Sequence, residues 1–185
     1  KVALCKTAPK DPQTIRNTPV LVLAGLAFEL EAMLAALGPH VSGDQIVFHC
    51  ISDLSGDETR LKTVSDRIAA RTCIKKTGLL WGPEMEPRNG SVPPSAWTIS
   101  CPFRQGVTAA RRLFTSPRFR LYENNDLLGT EIAAALFPVY AVGCGVACTL
   151  GYKSPTIALF VTRSVAEMAR LGAVLGANPA TFSGL

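Results

Sequence analysis

No Cys-x-x-Cys pair, no Gly-x-Gly-x-x-Gly turn and no block of like charge occurs anywhere in this sequence. The missing cysteine pair and the missing charge block each remove a class of function. The six cysteines, Cys5, Cys50, Cys73, Cys101, Cys144 and Cys148, sit mostly inside apolar runs. That suits buried, reduced thiols in a reducing intracellular compartment better than a disulfide framework. Cys144 and Cys148 lie one helical turn apart, but without a second ligand pair they read as packing, and no metal is expected. Charged residues make up 18% of the chain, below the usual share of about a quarter, so part of the surface is expected to be covered by protein partners. The formal net charge is +5, which favours acidic partners in general terms. Its cations are scattered, with pairs at Lys75-Lys76 and Arg111-Arg112 and a loose run through Arg118 and Arg120. No basic stripe is interleaved with aromatics, so no nucleic-acid surface is expected. The first residue is Lys and no signal peptide is visible. A removed organellar presequence leaves this appearance, and a mitochondrial matrix location would fit it; a fragment of a longer chain leaves the same appearance.

What is present is a regular alternation of strand and helix patterns. Residues 1–19 are polar and proline-punctuated and predict an extended N-terminal arm. Short apolar runs predict buried strands at 20–24 and 45–50, a third ending at Gly82-Pro83, and a fourth at 96–101. A fifth is expected at 119–124. Between them lie helical periodicities at 27–38, 57–70 and 104–114 and a Pro/Gly-rich loop at 83–94. Strands alternating with helices predict a parallel α/β sheet. After Asp126, a natural N-cap, the pattern becomes all-helical. The chain therefore divides into an α/β part, 1–125, and a helical part, 126–185. Ile132 to Leu150 carries no charge and is long enough to cross a bilayer. Pro138, several glycines and the missing basic flank favour instead the central helix of a bundle, enclosed on all sides by other helices.

The text of the last third is specific. "LFTSPRFRLYENNDLLGTEIAAAL" (113–136) and "LFVTRSVAEMARLGAVLGANPATFSGL" (159–185) resemble the NAD-dependent glycerol-3-phosphate dehydrogenase family. Upstream, "VLVLAGLAFELEAMLAAL" (20–37), "WGPEM" (81–85) and "PPSAWTIS" (93–100) are similar to the family's text more faintly. The resemblance implies a Rossmann-like α/β sheet, here incomplete, followed by an all-α domain of the 6-phosphogluconate dehydrogenase C-terminal type.

It also implies what has been lost. The family reads Leu-Lys-Asn where this chain reads Leu136-Phe137-Pro138, and it assigns that lysine to proton handling at the substrate carbonyl. An ammonium donates a hydrogen bond, then a proton, to oxygen as hydride reaches carbon. A phenyl ring donates neither. The family's second active-site lysine, in "SATKGLE", aligns with Ile51, and its acidic "GFGDN" turn aligns with Gly151-Tyr152-Lys153-Ser154-Pro155. No catalytic or cofactor-binding residue is therefore expected, with Ile51 and Phe137 at the lysine positions. The function expected is that of a dehydrogenase-like structural or accessory subunit of a larger assembly, without a cofactor. The alternative is an active enzyme that uses NAD to reduce dihydroxyacetone phosphate. In that case His49 is a candidate proton donor, although a strand histidine bonded to a backbone carbonyl is the simpler reading. A third class, anion binding without turnover, would use Arg163 or the Arg111/Arg112 pair. An intrahelical ion pair of Arg163 with Glu167, one turn on, accounts for both more simply.

Overall fold

The computed structural model describes residues 2–5, 12–56, 61–83 and 94–183. In chain order they form β1 (Val2–Cys5), α1 (Pro12–Arg16), β2 (Val20–Leu23), α2 (Leu30–Leu37) and β3 (Ile46–His49). Then come β4 (Leu54–Gly56), β5 (Leu61–Thr63), α3 (Val64–Arg71), β6 (Lys76–Trp81) and β7 (Ser95–Ser100). α4 (Arg104–Phe114), β8 (Phe119–Asn124), α5 (Leu127–Thr149) and α6 (Ser154–Val174) follow, and a 3-10 turn at Pro179–Ser183 closes the described chain.

Six strands make one sheet in the order β1-β2-β3-β6-β7-β8, and β4 and β5 form a separate antiparallel pair. The alternating pleat explains how both faces are covered. Leu21, Leu23 and Val47 point to one side, where they pack with Leu30 and Leu34 of α2 and Ile68 of α3. Val20, Val22 and Phe48 point to the other, with Leu80, Ile99 and Ala110 of α4. Rossmann-like α/β architecture followed by helices is what the sequence predicts.

Four local expectations need correction. The sheet is not wholly parallel: β6 and β7 run antiparallel, Leu79 opposite Ser100, while the other four pairings are parallel. The Pro/Gly-rich link after Gly82 carries no helical periodicity, and only a crossover, usually a helix, returns a chain parallel. Its residues 84–93 lie outside the described residues. Second, the expected N-terminal arm contains β1, paired parallel to β2, and α1, which buries Ile15. Third, the helix expected at 57–70 starts at Val64, after β5; residues 57–60 lie outside the described residues. Thr63 caps it by accepting from the Asp66 amide, and Asp66 reciprocates to the Thr63 amide at 3.1 Å. Fourth, of the five cysteines whose side chains are described, Cys101 alone is buried: Cys50 and Cys144 are half-buried, Cys73 and Cys148 exposed, and all five are unpaired.

The largest difference concerns α5. Asp126 caps it as expected, accepting from the Gly129 amide at 3.0 Å, and the helix runs on through Pro138 without ending. Yet it is not enclosed. Only its first turns, from Gly129 to Ala134, bury side chains. Val142 is 67% and Leu150 70% exposed. Beside it α6 leaves Leu159, Val161 and Val174 exposed. Among the described residues α5 is the one helix long and apolar enough, by length and composition, to cross a membrane.

Candidate functional site: two cavities about an aromatic pair

The carboxyl ends of parallel strands are where open α/β sheets hold ligands. Here that edge is formed by the ends of β2, β3 and β6. Trp81, the last residue of β6, meets Phe137 of α5 edge to face, ring centroids 5.3 Å apart and planes at 74°, the arrangement that aromatic quadrupoles favour. The pair stands between two cavities and contributes to both. One, about 390 Å³, is also lined by Thr98, Tyr122, Met168 and Phe182. The other, about 810 Å³, lies against Ala24, Gly25, Cys50 and Ser52, together with Trp97.

The two lysine positions implied by the resemblance do not meet in this geometry. Phe137 faces both cavities, 47% exposed. Ile51 faces neither; it is 2% exposed and packs in the core under α2 and α3. Its neighbours Cys50 and Ser52 line the larger cavity instead. Strand alternation explains the split, because adjacent residues at a strand end turn to opposite sides.

His49 is fully buried and lines neither cavity. Its Nδ1 lies 3.2 Å from the Ile51 carbonyl, as the simpler reading expected. Its Nε2 lies 3.1 Å from Glu131 Oε1 and 3.3 Å from Ser65 Oγ. The Ile51 carbonyl can only accept, so Nδ1 is assigned the hydrogen in that contact from the heavy-atom geometry. Glu131 Oε1 also accepts the Ser65 backbone N–H at 2.8 Å. This buried cluster ties β3, α3 and α5 together, and it is a joint rather than a proton donor to a ligand. Sequence reasoning missed Glu131 and Ser65. The available signal was Glu131 itself, the one charge between Leu127 and Leu150.

Cys50 is no nucleophile here: burial pushes its thiol up from 9.0 to about 11, so it stays protonated near neutral pH. The Arg163–Glu167 pair does not form. Glu167 instead hydrogen-bonds Tyr140, whose phenol is raised first by burial and then by that carboxylate. Arg111 pairs with Glu123. Lys153 precedes α6 as an exposed residue. Among the described residues no cluster of His, Cys, Asp and Glu suits a metal.

A dinucleotide is the cofactor the fold implies. Its pyrophosphate needs converging N–H groups or cations. The described lining of the larger cavity holds no charged side chain and is dominated by rings. No side chain of this described lining supplies a cation to that group.

Comparison with known proteins places the chain. Residues 126–185 match the family described as NAD-dependent glycerol-3-phosphate dehydrogenase C-terminus. A glycerol-3-phosphate dehydrogenase [NAD(P)+] from Geobacter metallireducens is 39% identical over 118 residues, 64% of this chain and 34% of its own. The protein of that name from Corynebacterium diphtheriae is 32% identical over 182 residues, 97% of this chain and 54% of its own. The chain thus spans about half, or less, of the length of such relatives. Among solved structures, glycerol-3-phosphate dehydrogenase from Coxiella burnetii superposes with a TM-score of 0.83 at 19% identity, covering 94% of this chain and 53% of that one. That likeness shows the fold. Sequence at the helical end and fold along nearly the whole length agree: the chain belongs to the glycerol-3-phosphate dehydrogenase family.

Proposed function

We propose that this protein keeps the dehydrogenase fold without the chemistry and serves as a structural or accessory subunit of a larger protein assembly. The observation that carries this reading is Phe137. It stands at the junction of the two cavities, at the position where the resemblance implies a proton-donating lysine. Hydride addition to a carbonyl leaves charge on oxygen, and a donor must meet that charge. The described cavity linings supply no lysine, arginine or histidine. Glu123 is their one carboxylate, and it is held by Arg111. Loss of such a group alone removes several powers of ten in rate. The apolar residues left exposed on α5 and α6 support the assembly role, because exposed apolar patches of this kind mark contact surfaces.

The test is direct. The chain is mixed with NADH and dihydroxyacetone phosphate while absorbance at the NADH band and the melting temperature are followed. Neither oxidation above the buffer rate nor a rise in melting temperature is expected. Turnover would overturn the reading, and the active NAD-dependent dehydrogenase would take its place. A melting-temperature rise without turnover would show that cofactor or substrate binding survives.

A further inference from the structure

We propose that the larger cavity is a binding site for a neutral, planar aromatic small molecule of about two rings. The proposal rests on the reading that this chain does not use a dinucleotide. The cavity lies at the carboxyl ends of β2, β3 and β6, and its volume of about 810 Å³ falls within the roughly 300–1,000 Å³ typical of small-molecule sites. Five rings line it: Trp81, Trp97, Phe114, Phe119 and Phe137. Four of these residues form two crossed pairs, Trp81 on Phe137 at 5.3 Å and 74°, and Trp97 on Phe119 at 5.6 Å and 54°. Crossed pairs leave ring faces and edges available to a third ring. The absence of a side chain at Gly82 helps build the site, since a Cβ there would fall 2.5 Å from the Trp97 ring.

Polarity selects the ligand class. No charged side chain lines the described cavity, so a phosphate or carboxylate would lose its hydration without a counter-charge. The polar side-chain groups are the Ser52 hydroxyl, the Cys50 thiol, which stays neutral near pH 7, and the indole N–H groups of Trp81 and Trp97. They offer hydrogen bonds to one polar atom on an otherwise apolar ring system.

The chain carries its own reporter, because its two tryptophans both line this cavity. The probe is N-phenyl-1-naphthylamine, uncharged and bicyclic, titrated into the full chain with tryptophan excitation. Saturable, one-to-one energy transfer to the probe is expected. Ala24→Phe and Ser52→Phe, at the ends of different strands, fill the cavity, and each is expected to weaken binding about tenfold or more. Two positions are used so that one misfolded variant, recognised by circular dichroism, leaves the other decisive. Val142→Lys on the exposed face of α5 is expected to leave probe binding unchanged.

Probe binding that is not saturable overturns the proposal. So does binding unaffected by a folded filled variant, or binding abolished by Val142→Lys; both assign the probe to the α5 surface. Displacement of the probe by NADH overturns the ligand class and marks a dinucleotide site. Turnover of dihydroxyacetone phosphate overturns the non-catalytic reading separately. A chain that neither turns over nor binds the probe overturns this proposal alone.

Discussion

The sheet and the helical pair of this protein bury apolar surface in opposite ways. In the sheet, successive residues of β2 serve two cores, one under α2 and α3 and one under α4, and nothing apolar on that strand is left to solvent. In α5 the apolar residues run all round the helix, yet only residues of its first turns are fully buried, and beyond them the contacts with Trp81 and α6 leave Val139, Val142 and Val146 exposed. A sequence pattern therefore tells how a segment is built more reliably than what covers it. Both regions are apolar; only the sheet carries its own cover within the described chain.

The most severe way to test this contrast is to cut into the sheet. Phe48 is fully buried, packed with Leu80 and Ile99, and sits over Gly78 so closely that a Cβ there would fall 2.9 Å from its ring. Phe48→Ala is expected to cost about 3–5 kcal/mol, measured as a lower urea midpoint at unchanged slope. A cost below about 1 kcal/mol would mean the sheet is not the stable half.

The joint between the two regions comes next. Glu131 holds His49 and the Ser65 amide across β3, α3 and α5. Glu131→Gln keeps the shape but removes the charge facing His49, and is expected to cost about 1–3 kcal/mol. Because the cluster spans both regions, thermal and urea unfolding followed by tryptophan fluorescence and by circular dichroism should coincide in the native chain. They are expected to separate in the variant as the helical pair loosens first. Coincident transitions in Glu131→Gln would deny this cluster its coupling role.

These residues also show how much was legible beforehand. Strand and helix periodicities located β2, β3, α4 and β8 closely, because continuous apolar runs and a one-sided stripe depend on neighbours in sequence. The Asp126 cap was legible for the same reason. The start of α3 was readable but unread: Thr63-x-x-Asp66 is a capping box. The antiparallel β6–β7 pairing was likewise readable, in the missing helix between the two strands; the burial of Ile51 against the cavity position of Cys50 and the His49–Glu131 contact were not legible. Each depends on which distant element arrives alongside, and residues 49 and 131 are far apart in the chain. The resemblance marked Phe137 as a site position, whereas the two-cavity junction with Trp81 became visible only in three dimensions.

Cys50 gives a smaller effect, set by pH. Its thiol ionises near 9.0 when unfolded and at about 11 when folded, raised by burial. Between those values the unfolded state has lost a proton that the folded state keeps, so stability is retained below pH 9 and falls as pH rises through the window. Cys50→Ala is expected to flatten that limb of the urea-midpoint profile. In the folded native chain at pH 8, iodoacetamide should label exposed Cys73 and Cys148 well before Cys50. Equal labelling would mean that the larger cavity opens readily to water.

The smallest effect on stability carries the most information about the exposed helices. Val142 and Val146 are 67% and 55% exposed on one side of α5, and changes at such positions usually alter stability by no more than about 0.5 kcal/mol. Val142→Lys with Val146→Lys is therefore expected to leave the urea midpoint nearly unchanged. The same change places two ammonium groups in the middle of an apolar face, where any partner would have to desolvate them. The fraction of chain in large species by analytical ultracentrifugation is expected to fall, while the fold is preserved. A large loss of stability would mean that α5 is covered within the chain after all, so that the contrast between the two regions fails. Unchanged stability with unchanged association would leave the contrast intact but take the contact role away from this face, moving it to the exposed side of α6 around Leu159 and Val161.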